Sequence, residues 1–394
     1  MLLLSLFIGL VFAYGLISER IAQTPITGPM IFTVAGLAVA VLIPEQELVG
    51  GGLDTFLSIA ELGLALLLFS DASRTDLREL GRDKVLALRL LTVGMLLTIA
   101  LGASLAWLLF PALSLWQAGV VGAILAPTDA GLGQAIVQSE KVPLKLREVL
   151  GVEAGLNDGL CVPFLLFFLV MAEGTSGGSV VSLGSFIWQQ LGLGCLIGAG
   201  IGLVGGYLLE RAASRGWMAH STRQLAVMAL PVLCVLAAEA LHASMFIAAF
   251  VAGLASQYRY RDSEHASFDF SSLSGELLNL FVFFLFGALA LDALAGLQWL
   301  HLVYAFASLT VVRMLPVAIA LIGSGLNQHS ILFAGWFGPR GLASIVLGLV
   351  FLQQQGDTAL TQMLQPLVIV TVLLSVLLHG ASVPAGIRWL ARRS

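Results

Sequence analysis

The chain is poor in charge and in cysteine. Only 11% of its 394 residues are Asp, Glu, Lys or Arg, whereas soluble domains carry about a quarter, and this excludes an ordinary soluble enzyme. The three cysteines all lie in apolar segments, so the sequence has no disulfide framework and no metal-ligand cluster. No nucleophile elbow and no phosphate loop appear where an enzyme would need them. We therefore expect no enzymatic activity, no cofactor and no nucleic-acid partner.

Apolar residues fill the rest of the chain: 58% of residues are hydrophobic and the mean hydropathy is +0.97. A membrane-spanning helix needs roughly 20 apolar residues. We identify thirteen such runs, which predict an all-α polytopic membrane protein built as a single domain over residues 1–394. Their approximate limits are 2–19, 28–43, 51–71, 84–110, 115–138, 148–173, 183–210, 222–239, 241–257, 272–292, 297–323, 330–352 and 362–387.

Three features leave alternatives to this count. The second run is short, and only Ala240 separates the eighth run from the ninth, so twelve or fourteen spans are also compatible with the sequence. The first run resembles a signal peptide in length. It lacks a basic n-region and a small-residue cleavage site, however, and we count it as a span.

Positive charge gives an independent test of the count, because Lys and Arg gather in cytoplasmic loops. Seventeen of the 19 basic residues follow odd-numbered runs, and none follows an even-numbered run. This predicts an external N-terminus, a cytoplasmic C-terminus and residence in the cytoplasmic (inner) membrane. The two remaining basic residues, Arg313 and Arg340, lie inside runs.

Two prolines inside apolar runs indicate an internal repeat. Pro127 lies in the fifth run and Pro339 in the twelfth, 212 residues later, each beside glycines. Proline removes a backbone donor and clashes one turn back, so both helices should be interrupted. Adding 212 to the fourth and sixth runs gives nearly the eleventh and thirteenth. We therefore predict two inverted six-helix repeats with crossing broken helices, an architecture of secondary transporters; two simple proline kinks are the alternative.

Five ionisable residues are placed near the bilayer centre, where each ionised side chain costs roughly 2.5 to 3.5 kcal/mol. They are Asp129, Glu153, Asp158, Arg313 and Arg340. Because three acids face two arginines, one carboxylate should have no permanent counter-ion, and we expect this to be Asp158. We expect Glu153 to pair with Arg313.

A carboxylate of this kind can bind a proton or a cation, but not both at once. A dehydrated alkali cation needs several oxygen ligands, which the Asp158 carboxylate, the Thr128 hydroxyl and the carbonyls freed by Pro127 could supply. We expect Arg340 to neutralise the exposed carbonyl ends together with Asp129.

Several strings of residues resemble the signature segments of the monovalent cation/proton antiporters, the NhaP-type bacterial exchangers and their animal NHE relatives. They are Ala-Pro-Thr-Asp at 126–129, Glu-Ala-Gly-Leu-Asn-Asp-Gly at 153–159 and Gly-Trp-Phe-Gly-Pro-Arg-Gly at 335–341. Residues 71–80 also resemble a family segment. Ala154 is a departure, because many relatives have Ser there.

The resemblance implies an NhaA-like fold, a homodimer and an elevator movement. The core bundle would comprise residues 84–173 and 297–387, and the scaffold would comprise 1–80 and 183–292, with no cytoplasmic regulatory domain. Asp158 would bind Na⁺, or K⁺ or Li⁺, in alternation with H⁺, and Asn157, Thr128 and Asp129 would belong to the site. Arg340 would compensate charge.

Asn157 precedes Asp158, so the pair holds one titrating carboxylate, and exchange should be electroneutral at one cation per proton. The alternative function is a sodium-coupled symporter of organic anions on a similar fold. It would need a roomy polar cavity, and the acidic centre should repel anions.

Overall fold

The structure is a computed structural model that describes residues 2–22, 24–43, 53–74, 84–174, 180–258, 266–355 and 359–393. Within these residues all regular elements are helical. In chain order the α-helices are α1 (Leu2–Ala22), α2 (Gly28–Leu42), α3 (Leu53–Arg74), α4 (Lys84–Arg89), α5 (Met95–Leu109), α6 (Leu115–Ile124), α7 (Ala130–Val137), α8 (Leu144–Gly174), α9 (Val180–Ile187), α10 (Gly194–Ser214), α11 (His220–Ala240), α12 (Met245–Ser256), α13 (Ala266–Ala295), α14 (Trp299–Leu309), α15 (Val311–Ala320), α16 (Gln328–Trp336), α17 (Leu342–Gln355) and α18 (Ala359–Ala391).

Many of these helices match the predicted membrane spans. Nine segments of the described residues are long and apolar enough to cross a membrane, and four shorter apolar helices accompany them: Gly28–Leu42, Leu115–Ile124, Met245–Ser256 and Leu342–Leu352. The doubtful eighth and ninth runs form separate helices. Residues 241–244 divide α11 from α12, and His242 there has a positive φ of 52°.

The eleventh predicted run, 297–323, forms two helices because the chain is interrupted at Thr310. The Thr310 hydroxyl donates to the Phe306 carbonyl at 2.6 Å, a bond that competes with the helical ladder. Thr98, 212 residues earlier, donates to the Gly94 carbonyl at 2.9 Å, at the end of a π-helical turn, Leu90–Gly94. The two threonines make the same bond, but α5 continues through Thr98, so the interruption occurs in the second half of the chain and not at Thr98.

The chain forms two compact units. The first comprises Met1–Ala60, Arg82–Ala154 and Asn279–Ser394, and the second comprises Glu61–Gly81 and Gly155–Leu278. The long helix α8 begins in the first unit and continues in the second.

In the first unit, α2 and α13 approach each other at reciprocal glycines. A Cβ added to Gly36 would overlap the Phe284 carbonyl oxygen, and one added to Gly287 would overlap the Thr33 carbonyl oxygen. Small residues of this kind allow close backbone contact between membrane helices.

In the second unit, α10 lies directly on α12. Gly194, Gly198, Gly202 and Gly206 are buried at every fourth position of α10. A Cβ added to any of them would meet α12 or its N-cap residue, and its nearest neighbour in each case is a backbone carbonyl oxygen. These glycines position α12, whose Phe250 in turn contacts α8.

Candidate functional site

The first interrupted segment consists of α6, a break and α7. α6 begins with a capping box, in which the Ser114 hydroxyl accepts from the Gln117 amide and the Gln117 side chain accepts from the Ser114 amide. It ends at Ile124, and α7 begins at Ala130. Pro127 lies between them, so the interruption predicted from this proline is present.

The second interrupted segment repeats this arrangement. Asn327 caps α16, with its Oδ1 accepting from the Ser330 amide at 2.7 Å. α16 ends at Trp336 and α17 begins at Leu342, with Pro339 between them. The last residues before the two breaks are 212 apart, and so are the first residues after them. The structure therefore contains both interruptions at the spacing found in the sequence.

The two breaks contact each other through Asp129. Its amide donates to the Pro339 carbonyl at 2.8 Å. Its Oδ1 accepts from the Leu132 amide at 2.7 Å, in the first turn of α7, and its Oδ2 accepts from the Leu342 amide at 2.6 Å, at the start of α17. One buried carboxylate thus compensates the positive N-terminal ends of two helices.

Arg340 makes the complementary contact in the opposite direction. Its side chain is fully buried, and its Nη1 donates to the Ala126 carbonyl at 2.7 Å and to the Pro127 carbonyl at 3.2 Å. The Ser344 hydroxyl of α17 donates to the Ile124 carbonyl at 2.7 Å. The carbonyl end of the first segment is therefore satisfied by the second segment, as lipid-embedded backbone requires.

These contacts correct one part of the sequence interpretation. Arg340 does neutralise exposed carbonyls, as expected, but Asp129 does not share that role. An ionised carboxylate only accepts hydrogen bonds, so it bonds to the orphaned amides instead. Each charge compensates one kind of orphaned backbone group.

Glu153 and Arg313 form a buried ion pair, the pairing that the charge count favoured. Nη1 lies 2.6 Å from Oε1 and Nη2 lies 3.0 Å from Oε2, which is the two-bond geometry typical of arginine and carboxylate. A Cβ added to Gly338 would overlap the Arg313 guanidinium. Gly338 in the second break therefore makes room for this pair.

Thr128 is buried between Pro127 and Asp129 in the first break. Asn157 and Asp158 are also buried, at 2% and 8% exposure, and they lie on the part of α8 that belongs to the second unit. There the Cys161 thiol donates to the Asn157 Oδ1 at 3.1 Å. The Phe250 ring covers Gly159, where a Cβ would overlap it.

Sequence reasoning missed the residues that hold the second break against α18. The Arg340 amide donates to the Ser375 hydroxyl at 2.6 Å, and that hydroxyl lies 3.1 Å from Nδ1 of His379. Both side chains are buried. Two polar residues one turn apart in an apolar run were the signal that could have identified them.

Two basic residues bond to one turn at another end of the first unit. The turn after α15 contains Gly323 and Gly325, both with φ of 74°. Arg89 donates to the Ile322 carbonyl at 2.7 Å, and Lys145 donates to the Ser324 carbonyl at 3.3 Å. Arg89 at the end of α4 and Lys145 at the start of α8 thus bond to the same turn. Of the segment 71–80, residues 75–80 lie outside the described part of the chain.

The chain is similar to known proteins over almost its whole length. It is 30% identical to the Na⁺/H⁺ antiporter NhaP of Pseudomonas aeruginosa, over 81% of this chain and 78% of that one. It is 27% identical to the K⁺/H⁺ antiporter NhaP2 of Shewanella sp. MR-4, over 89% of this chain but only 61% of that one. The solved structure of the sodium proton antiporter MjNhaP1 from Methanocaldococcus jannaschii at pH 8 has the same fold, with a TM-score of 0.75, 20% identity and coverage of 99% and 97% of the two chains.

A family model described as "Sodium/hydrogen exchanger, transmembrane" matches residues 3–389. This match covers both interrupted segments and the helix that carries Asn157 and Asp158. The chain is a multi-pass membrane protein that belongs to the sodium/hydrogen exchanger family.

Proposed function

We propose that this protein is a secondary antiporter that exchanges a monovalent cation for H⁺ across the cytoplasmic membrane. The observation that carries the proposal is the contact between two interrupted helices whose buried Asp129 and Arg340 compensate each other's backbone ends. Broken helices of this kind supply ion sites in secondary transporters. The names of the bacterial relatives, which are Na⁺/H⁺ and K⁺/H⁺ antiporters, support the same activity.

Na⁺ is the cation we propose, with K⁺ and Li⁺ as the alternatives. The sodium-coupled symporter has no support from the comparisons, because the relatives named above are antiporters by name. The cations and H⁺ are thus the substrates, and lipid is the surrounding partner.

Asp158 is the group that we assign to alternate binding of cation and proton. Asp158 is a buried carboxylate, 8% exposed, and it lies beside the buried Asn157 on α8. Competition at one carboxylate prevents simultaneous occupancy, and this couples the two fluxes. We assign to Thr128 an oxygen ligand and to Asn157 a polar contact beside Asp158. For Asp129 the contacts favour helix capping over direct cation binding.

This assignment predicts that Asp158→Asn abolishes exchange. Everted vesicles would be acidified inside, and dequenching of a pH-sensitive dye would be followed on addition of Na⁺, K⁺ or Li⁺ at several pH values. We expect the variant to fall to the vector background with every cation. Asp292→Asn is the matched control, because Asp292 is exposed on α13 and should leave exchange at the wild-type rate. Full exchange by Asp158→Asn would refute the assignment.

One titrating carboxylate per cation implies electroneutral exchange. In proteoliposomes with a fixed pH gradient, a potassium diffusion potential of either sign should leave the Na⁺-driven rate unchanged, because no net charge crosses. A rate that follows the imposed potential would exclude one-for-one exchange, and it would leave the assignment of the cation itself unaffected.

The membrane arrangement completes the proposal. We infer thirteen crossings in an NhaA-like fold: nine from the long segments, two from Gly28–Leu42 and Met245–Ser256, and one from each interrupted segment. The two repeats would be inverted, with the N-terminus outside and the C-terminus in the cytoplasm. Residues 84–173 and 297–387 would move as the core against a scaffold of 1–80 and 183–292 in a homodimer.

A further inference from the structure

The second break is anchored to α18 by a chain of buried polar groups. The break leaves the Arg340 amide without a helical acceptor, and the Ser375 hydroxyl accepts its hydrogen bond at 2.6 Å. One turn later, His379 Nδ1 lies 3.1 Å from the Ser375 hydroxyl and 3.1 Å from the Ser375 carbonyl. Ser375 and His379 are 0% and 1% exposed.

The histidine is held in this place from more than one side. The Trp336 ring, from the last residue of α16, lies 5.1 Å from the His379 ring, and the Trp336 indole donates to the Ser382 hydroxyl at 3.0 Å. The charged groups that act on the imidazole are Arg340 and Arg313, so a charged histidine would add a third positive charge. In one tautomer of neutral His379, Nδ1 accepts a hydrogen bond from the Ser375 hydroxyl. In the other tautomer, Nδ1 donates a hydrogen bond to the Ser375 carbonyl.

The anchored residue is the one that reaches the first break. The Arg340 backbone is fixed by Ser375, and its guanidinium donates to the carbonyls of Ala126 and Pro127. These carbonyls directly precede Thr128, whose hydroxyl is a proposed cation ligand. The position of the Arg340 backbone thus determines whether the guanidinium can donate to the two carbonyls beside the proposed cation site.

We propose that Ser375 and His379 are positioning residues of the cation site, which act through Arg340 and set the apparent affinity for the transported cation. The inference rests on the proposed antiport function and deepens it. Without Ser375 as acceptor, the Arg340 amide is buried and unsatisfied in the ordered site. The Arg340 backbone, and with it the guanidinium beside Thr128, is then held less firmly in this position, and we expect the apparent KM for the cation to rise.

The test compares Ser375→Ala with Thr371→Val in the dequenching assay. Thr371 is a matched control: it is equally buried one turn earlier on α18, and its hydroxyl bonds only within the helix, to the Leu367 carbonyl at 2.7 Å. We expect Ser375→Ala to raise the apparent KM for Na⁺ by about fivefold or more relative to Thr371→Val. The maximal rates of the two variants should be similar, whereas the Tm of Ser375→Ala should be lower, because the Arg340 amide loses its acceptor.

A second pair isolates the imidazole and serves even where Ser375→Ala fails to fold. His379→Asn keeps a polar group near the position of Nδ1, whereas His379→Leu removes it. We expect the apparent KM of the Asn variant to stay near wild type and that of the Leu variant to rise. Equal KM values for both members of either pair, with wild-type exchange intact, would overturn the positioning role. Absence of exchange in the wild type would instead overturn the proposed function.

Discussion

The two interrupted segments have the same geometry and opposite charge. Both begin with a side-chain cap, and both break over the same stretch of the repeat. The first carries Asp129 at its break, and the second carries Arg340. A break exposes amides on one side and carbonyls on the other, so each segment needs an anion and a cation. The second segment supplies the cation that bonds to the carbonyls of the first, and the first supplies the anion that accepts from amides of both.

This exchange means that neither segment is complete alone. The Asp129 amide donates to the Pro339 carbonyl, so the two breaks are joined by backbone as well as by side chains. The contacts between them also differ in kind: Arg340 donates to carbonyls of the first segment, whereas Asp129 accepts from amides of both segments. The variants below test whether the two charges are equivalent.

Loss of Arg340 should have the larger effect. Arg340→Leu leaves the carbonyls of Ala126 and Pro127 without their charged donor inside the protein, which should cost about 3 kcal/mol or more. We expect a strong fall in the Tm of the purified protein and loss of exchange. Arg340→Lys should restore Tm in part, because lysine keeps the charge but lacks the planar fork.

The matched control for this comparison is Arg89→Leu. Arg89 also donates to backbone, but to one carbonyl, that of Ile322, in the turn after α15. It should retain exchange. Equal losses of Tm in the two leucine variants would contradict a special contribution of Arg340 to the crossing.

Loss of Asp129 should have a smaller and graded effect. Asp129→Ala removes acceptors from the Leu132 and Leu342 amides, at a cost of about 2 kcal/mol, whereas Asp129→Asn keeps one acceptor oxygen. We expect Tm to fall in the order wild type, Asn, Ala, and exchange to fall in the same order.

Asn327→Ala measures the effect of losing a helix cap without losing a contact between the two interrupted segments, because Asn327 caps its own helix, α16. We expect it to lower Tm by less than Asp129→Ala and to leave exchange intact. If Asp129→Asn abolished exchange at unchanged Tm, Asp129 would be a cation ligand, and the two charges would have different functions.

Much of this arrangement could be predicted from the sequence. Pro127 and Pro339 identified both breaks because proline acts on its own helix, and their spacing identified the repeat. Glu153 and Arg313 were paired by counting charges that a membrane cannot leave uncompensated. The breaks follow from the local chemistry of proline, and the ion pair follows from a balance of positive and negative charge within the membrane. Neither inference needs coordinates.

The partners of the charges could not be predicted in the same way. Arg340 bonds to Ala126 and Pro127, more than two hundred residues away, and which carbonyls it reaches depends on the crossing itself. Ser344, Ser375 and His379 are polar residues in apolar runs, and only packing distinguishes them from Thr371, which bonds within its helix. The interruption at Thr310 was missed because threonine is common in continuous helices.

The glycines of α10 limit which parts of this protein can change shape. With no side chains between them, α10 and α12 are in direct backbone contact along the glycines. Phe250 lies on α12 and its ring packs against Gly159, so the position of the ring depends on the position of α12. We expect α10 and α12 to keep this contact in any conformational change and to behave as one rigid pair. Bending should then occur at the ends of the two helices.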